Sequence, residues 1–271
     1  MLENQIEQIR KNNPLVHNIT NAVSIHDVAN IELAIGASPI MAEAKEEVEE
    51  ITSLAQSLNV NMGMLNLEKF QAIKLATKKA QACKHPIVLD VVGVGASSFR
   101  KEKVFEILNE VQVSVIKGNR SEIKSLSANT FSHGVDVKVQ DRNASLDDFV
   151  EIAKKVAKKY QCIVVMTGKQ DVISDGKLTY IVENGHKKMQ EVTGTGCQLS
   201  GLIASFITNE NDLIESCVGA VCTMGLAGQK AFEQLLPNQG NATYGQMIID
   251  QIHLMDSKQL VEGAIYEKYQ G

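Results

Sequence analysis

The chain has 271 residues, and its 27 basic and 32 acidic side chains leave a formal net charge of −5. A net-negative chain with no basic block is poorly suited to neutralising nucleic-acid phosphates, and with 4% aromatics and no Trp it lacks rings for base stacking. Its 44% hydrophobic and 22% charged residues are globular values and exclude disorder.

No window approaches the roughly 18 consecutive apolar residues of a membrane span. The first residues, MLENQIEQIRKNN, are polar and carry no apolar signal core. The cysteines (Cys83, Cys162, Cys197, Cys217 and Cys222) are scattered, with no C-x-x-C pair. That pattern fits reduced thiols, not a disulfide framework or a zinc site, so the expected setting is cytoplasmic, without membrane or nucleic-acid partners.

In chain order, NPLVHNITNAVSIHDVAN (13–30) is rich in small polar side chains and reads as a turn and helix cap. Asn18, Thr20 and Asn21 can equally present amides and hydroxyls to a small polar ligand. His17 and His26 lack metal-ligand spacing and read as surface or capping histidines. GASPIMAEA (36–44) sets Met41 in a short apolar stretch, the usual place for a core methionine. EAKEEVEEITSLAQSL (43–58) reads as a charged amphipathic helix, as does SLDDFVEIAKKVAKKY (145–160), where Phe149, Ile152, Ala153 and Val156 recur at helical spacing. PIVLDVV (86–92), VSVIKG (113–118) and CIVVMTG (162–168) are near-continuous apolar runs, which suit parallel strands buried on both faces. ISDGKLTYIV (173–182) has an Asp-Gly turn between apolar segments and reads as a hairpin. From Gly194 onward the chain reads mostly helical. The expected fold class is α/β: one domain over residues 1–271, with a central, mainly parallel sheet and helices on both faces.

In such sheets ligands bind beyond the carboxyl ends of the strands, which directs attention to four signatures. VTGTGCQLSG (192–201) places Gly194-Thr195-Gly196 before Leu199, Leu202, Ile203 and Phe206 at helical spacing. A helix start offers free N–H groups and partial positive charge, so it suits an anion, and the same field favours a thiolate at Cys197. The alternative is a plain glycine-rich helix start with a small buried Cys as filler. In KGNRSE (117–122), Asn119 and Glu122 fit either a hydrated magnesium site or a capping box. Asp90 ends a buried run, where an acid needs a partner, solvent or a function. Neither Asp90 nor Glu122 has an evident structural partner in the sequence. Thr167-Gly168 is a weak phosphate or turn signal. Neither a three-glycine dinucleotide fingerprint nor a G-x-x-x-x-G-K-[ST] loop is present.

The order and spacing of NITNAV (18–23), GASPIM (36–41), NMGML (61–65), LDVVGVGAS (89–97), VIKGNRSEI (115–123), VMTGKQD (165–171) and VTGTGC (192–197) carry a more specific signal. Over essentially its whole length the chain resembles the hydroxyethylthiazole kinases of thiamin biosynthesis and salvage, within the ribokinase-like superfamily. Most ribokinase-like enzymes place Asp after the glycine turn, and the thiazole kinases place Cys, here Cys197. The chain departs at Val91 and Val94, where the family reads Pro and Ala, and at Lys117, where Arg is common. NQGNATYGQMIID (238–250) matches the family tail loosely.

The resemblance implies ATP-dependent phosphorylation of the thiazole alcohol. Cys197, Gly194, Thr195 and Gly196 would serve transfer, and Asn21, Val23, Met41, Gly63 and Gly194 would bind the alcohol. Lys117, Asn119 and Thr167 would contact ATP, and Asp90 and Glu122 would hold magnesium, largely through water. It also implies a homotrimer with the pocket shared between neighbouring subunits. The rivals are another ribokinase-like kinase of the hydroxymethylpyrimidine type and a nucleotide-dependent dehydratase of hydrated nicotinamide cofactors; Cys197 in place of Asp argues against both. A non-catalytic protein of the same fold is disfavoured by Asp90, Glu122 and the glycine turn.

Overall fold

The computed structural model describes residues 2–127, 145–208 and 212–270. Its backbone is one nine-stranded sheet. Strands β1 (Leu15–Ile19), β2 (Ser38–Met41), β3 (Ser57–Asn61), β4 (Ile87–Asp90), β5 (Val115–Asn119) and β6 (Ile163–Thr167) pair in parallel in the order β2-β1-β3-β4-β5-β6. Strands β7 (Asp171–Ser174), β8 (Thr179–Val182) and β9 (Tyr266–Lys268) continue the sheet antiparallel. The apolar runs expected as parallel strands are β4, β5 and β6, and the Asp-Gly turn closes the β7–β8 hairpin.

Strand alternation sends neighbouring residues to opposite faces, and each face has its own core. Val88, Val115 and Val165 meet α1 (Gln5–Asn12), α2 (Ile25–Ile35), α8 (Thr195–Phe206), α9 (Leu213–Gln234), α10 (Asn241–Leu254) and α11 (Ser257–Gly263). Leu89, Ile116 and Val164 meet α3 (Val48–Leu54), α4 (Leu67–Cys83), α5 (Ser98–Glu110), α6 (Arg120–Ser127) and α7 (Leu146–Tyr160). Burial on both faces explains why these strands are apolar without alternation. Val91 and Val94 are fully buried in the second core, so both departures from the family loop serve packing.

The structure corrects three expectations. The helix expected over 43–58 is confined to α3, and Ser57 onward is β3. Leu58, Val60 and Met62 recur at a period of two, so they share the second core while Asn59 and Asn61 face α8's side of the sheet. The segment expected as a turn and helix cap contains β1, between β2 and β3. His17 is therefore not at the surface. It is fully buried, its Nδ1 2.9 Å from Thr52 Oγ1 and its Nε2 2.9 Å from the Ala42 carbonyl. Burial holds its pKa below the usual histidine range. The C-terminal third is mostly helical as expected, in α8, α9, α10 and α11, and adds only the short β9 near its end.

Candidate active site

Five polar side chains stand on the sheet face that α8 covers, near the carboxyl ends of adjacent strands. These are Asn18 of β1, Asn59 and Asn61 of β3, Asp90 of β4 and Lys117 of β5. All five are buried, and such groups are tolerated only with partners. Asp90 Oδ2 accepts from Asn61 Nδ2 at 3.0 Å, Lys117 Nζ at 3.1 Å and Ser200 Oγ of α8 at 2.6 Å. Burial opposes the Lys117 charge, but the Asp90 and Glu122 carboxylates outweigh it and hold its pKa above the usual lysine range. Asp90 Oδ1 is buried with no hydrogen-bond partner.

The N-terminus of α8 points into this group. Its N-cap, Gly194, has φ 89°, and no side chain caps the turn. The first-turn N–H groups are thus left to an anion. Gly196 lies against the lysine, since a Cβ there would sit 3.0 Å from Lys117 Nζ. Cys197 follows, and its Sγ accepts from Asn21 Nδ2 and Asn61 Nδ2, both at 3.3 Å. Asn21 in turn accepts at Oδ1 from the Val23 N–H at 3.1 Å and from Ser24 Oγ at 3.2 Å. Ser24 also lies against Gly194.

Glu122 and Asn119 are reciprocally bonded. Asn119 Oδ1 accepts the Glu122 N–H at 3.0 Å, and Glu122 Oε2 accepts the Asn119 N–H at 2.7 Å. The capping box foreseen as one alternative is therefore present. Glu122 Oε1 also accepts the Gly93 N–H at 2.8 Å, which ties the loop after β4 to the end of β5. Asp90 thus has partners in space that the sequence did not show, and Glu122 gains the Gly93 N–H beyond its capping box. Burial raises the Glu122 pKa above the usual carboxylate range despite these two N–H groups.

The structure brings Asn21, Gly63, Gly194 and Cys197 together, with Asp90, Lys117 and Gly196 behind them. Thr195 opens α8 beside these glycines. Asn119 and Thr167 end the neighbouring strands β5 and β6 and pair in register. Met41 ends the edge strand β2 beside Asn18 and is half-buried, so it is not the core residue its apolar setting suggested. Val23 is 60% exposed, on the outer side of the pocket. Asn61 and Ser200 were not among the expected site residues. The alternation in SLNVN was the available signal for Asn61; no local signal marks Ser200, which reaches Asp90 only through tertiary packing.

The model of the hydroxyethylthiazole kinase family matches residues 6–258. The chain belongs to the hydroxyethylthiazole kinase family. Among the relatives of this kinase-family chain, a hydroxyethylthiazole kinase of Clostridium acetobutylicum is 42% identical, covering 99% of this chain and 100% of the relative. One of Clostridioides difficile is 42% identical, covering 93% and 94%. A solved hydroxyethylthiazole kinase from Pyrococcus horikoshii superposes with a TM-score of 0.87 at 32% identity, covering 99% of each chain. A pyridoxal kinase from Staphylococcus aureus, solved with ADP, shares the fold alone, with a TM-score of 0.61 at 16% identity over 77% of this chain and 85% of that one. The family is one of kinases, and the ribokinase-like α/β fold accords with it.

Proposed function

We propose that this chain transfers the terminal phosphoryl group of ATP to the hydroxyl of 4-methyl-5-(2-hydroxyethyl)thiazole, giving the thiazole phosphate used in thiamin biosynthesis and salvage. The family membership sets the class of reaction. The observation that carries it onto this site is the Cys197 sulfur at an uncapped helix start, held by two amide N–H groups beside a buried Lys117–Asp90 pair.

The alcohol lies against Asn21, Val23, Met41, Gly63 and Gly194, with its hydroxyl over Cys197. Asn119 and Thr167 take the nucleotide side of ATP, and Lys117 faces its phosphates. The hydroxyl oxygen bonds to the γ-phosphorus as the bond from phosphorus to the bridging oxygen breaks, and ADP departs. Cys197 orients the hydroxyl and takes its proton late, when the forming bond has made that proton acidic. The N–H groups of Gly194, Thr195 and Gly196 meet the charge that spreads over the phosphoryl oxygens. Phosphoryl transfer needs chiefly positioning and electrostatics, so a weak base suffices.

Magnesium fits the donors present. Asp90 Oδ1 is buried and unpartnered, and each Glu122 oxygen accepts one N–H, which leaves a lone pair. Among the described residues no cluster of three or more His, Cys, Asp or Glu could hold a metal. Magnesium commonly takes one or two carboxylates, with waters and phosphate oxygens completing its shell. Asp90 and Glu122 would hold it, largely through water, and the ion when bound would neutralise phosphate charge.

The proposed assembly is a homotrimer with the pocket at subunit boundaries, supported by exposed apolar residues at its rim: Val23 at 60%, Met64 at 55% and Leu67 at 64%. The proposed location is the cytoplasm, supported by five free cysteines. No helix among the described residues is long and apolar enough to cross a membrane.

An ATP-dependent screen over small heterocyclic alcohols, with products identified by mass, tests the reaction. The expected result is one added phosphoryl group on the thiazole alcohol. Transfer to a hydroxymethylpyrimidine with none to the thiazole alcohol would overturn it.

A further inference from the structure

Four groups converge on the amide of Asn61, the last residue of β3. Its Nδ2 donates to Asp90 Oδ2 at 3.0 Å and to Cys197 Sγ at 3.3 Å. Its Oδ1 accepts the Gly63 N–H at 2.8 Å and Asn21 Nδ2 at 3.2 Å. Asn21 closes the circuit by donating to the same sulfur at 3.3 Å. The partners decide which end of the amide is which. Turned over, it would set an oxygen against the Asp90 carboxylate and an NH2 against the Gly63 N–H. Asn61 is completely buried, so solvent does not compete for it. Gly63 leaves little room for adjustment, since a Cβ there would lie 2.8 Å from Asn61 Oδ1.

We infer that Asn61 is the positioning residue that locks the acceptor pocket to the phosphate side of the site, holding Cys197 and Asp90 in one geometry. The inference rests on the reading of the pocket given above. The position requires an acceptor toward Gly63 and Asn21 and a donor with two hydrogens toward Asp90 and Cys197. Asn meets both demands. Asp meets the first and sets a second carboxylate against Asp90. Ala meets neither. In this arrangement Asn61 touches no reactant and acts through the groups it aligns.

The test compares full-length wild type, Asn61→Ala, Asn61→Asp and the exchange Asn61→Asp with Asp90→Asn. Binding of the thiazole alcohol is measured by calorimetry without nucleotide or metal, and kcat and both KM values are measured separately. In both single variants the alcohol affinity falls about tenfold and kcat about 100-fold, with KM for ATP within about threefold of wild type. The exchange returns a donor and an acceptor to the Asn61–Asp90 contact, so it recovers at least about threefold of the lost affinity over Asn61→Asp, though not turnover. A merely structural role predicts a lower melting temperature with wild-type affinity and kcat per folded molecule, and that result overturns the inference. If Asn61→Ala fails to fold, Asn61→Asp, of matching volume, and the exchange decide; an exchange no better than Asn61→Asp counts against it. A wild type that does not bind the alcohol defeats the reading of the pocket. A wild type that binds it, with variants that match, defeats the role of Asn61 alone.

Discussion

Cys197 shows how differently one chain treats its thiols. Cys162, Cys197, Cys217 and Cys222 are all buried, but the Cys197 sulfur lies at the uncapped start of α8 between two site amides, whereas burial pushes the Cys162 and Cys222 thiols up to about 12 and raises Cys217 as well. Cys83 is half-buried at the end of α4, where the chain enters the amino end of β4, opposite the strand ends that form the candidate site. A small alkylating reagent is therefore expected to act at Cys83 and Cys197, with activity falling only as Cys197 is modified and the thiazole alcohol slowing that reaction alone. Peptide mapping along the inactivation time course checks this; activity that tracks Cys83, or no protection of Cys197, would place the acceptor hydroxyl elsewhere. Asp171 gives a prediction of a different kind. Burial pushes its carboxyl up to about 7, against the Gly168 N–H, which donates to its Oδ1 at 2.8 Å, and the Arg120 and Lys117 charges. The folded chain then holds a proton that an unfolded Asp releases near 3.9. Because the folded state binds more protons in this window, the Asp171 contribution to stability declines from about pH 4 to about pH 7. Asp171→Asn keeps an acceptor for Gly168 and removes the charge. Its melting temperature is expected to match wild type below about pH 4 and exceed it above about pH 7; a gap that is the same at both ends would sink the argument. At this scale the sequence marked Asp90, Glu122 and Cys197 as residues in need of an explanation, and the fold supplies each with partners. Asn61 and Ser200 stayed hidden because their partners lie 29 and 110 residues away.

Helix α8 concentrates the geometry of the candidate site in one turn. Gly194 sits at φ 89°, where a side chain costs roughly 1–2 kcal/mol, and a Cβ there would lie 3.0 Å from Ser24 Cβ. Gly194→Ala is therefore expected to lower stability by about 1 kcal/mol and to lower kcat at least about tenfold, because the first-turn N–H groups shift. Gly240→Ala is the control, since a Cβ there meets nothing within 4 Å. Urea unfolding and steady-state kinetics on both variants check it; equal kinetics would remove the turn from the reaction. Elements with continuous apolar runs, β4, β5 and β6, were legible because burial on both faces writes itself into composition. β1 was not, because polar side chains such as His17 and Asn18 are buried there with partners supplied by distant elements. β3 was obscured by the acidic helix before it, and only its period of two betrayed it.

Over the whole molecule, two cores on opposite sheet faces leave the strand ends as the place where buried polar groups meet. α8 packs across β1, β3 and β4 and closes that place from one side. The apolar rim of Val23, Met64 and Leu67 stays exposed in the single chain, although burying such residues is favourable. If neighbouring subunits cover it and complete the pocket, specific activity follows the trimer fraction. Sedimentation and activity on one dilution series are expected to fall together, and full activity in a demonstrated monomer would dismiss the shared pocket.

The sequence by itself determined the fold class, the family and the short segments that meet at the candidate site. Each of these depends on local period, composition or the order of motifs along the chain. The tertiary structure alone decided which side chains share a hydrogen bond. The Lys117–Asp90 pair, the Ser200 bond to Asp90 and the two amides on Cys197 join residues from β3, β4, β5 and α8 and the loop after β1. Such contacts follow from parallel register and from the helix laid over it: a one-residue slip in a strand would face its polar groups into the opposite core, and one in the helix would swing Cys197 and Ser200 about 100° away from them.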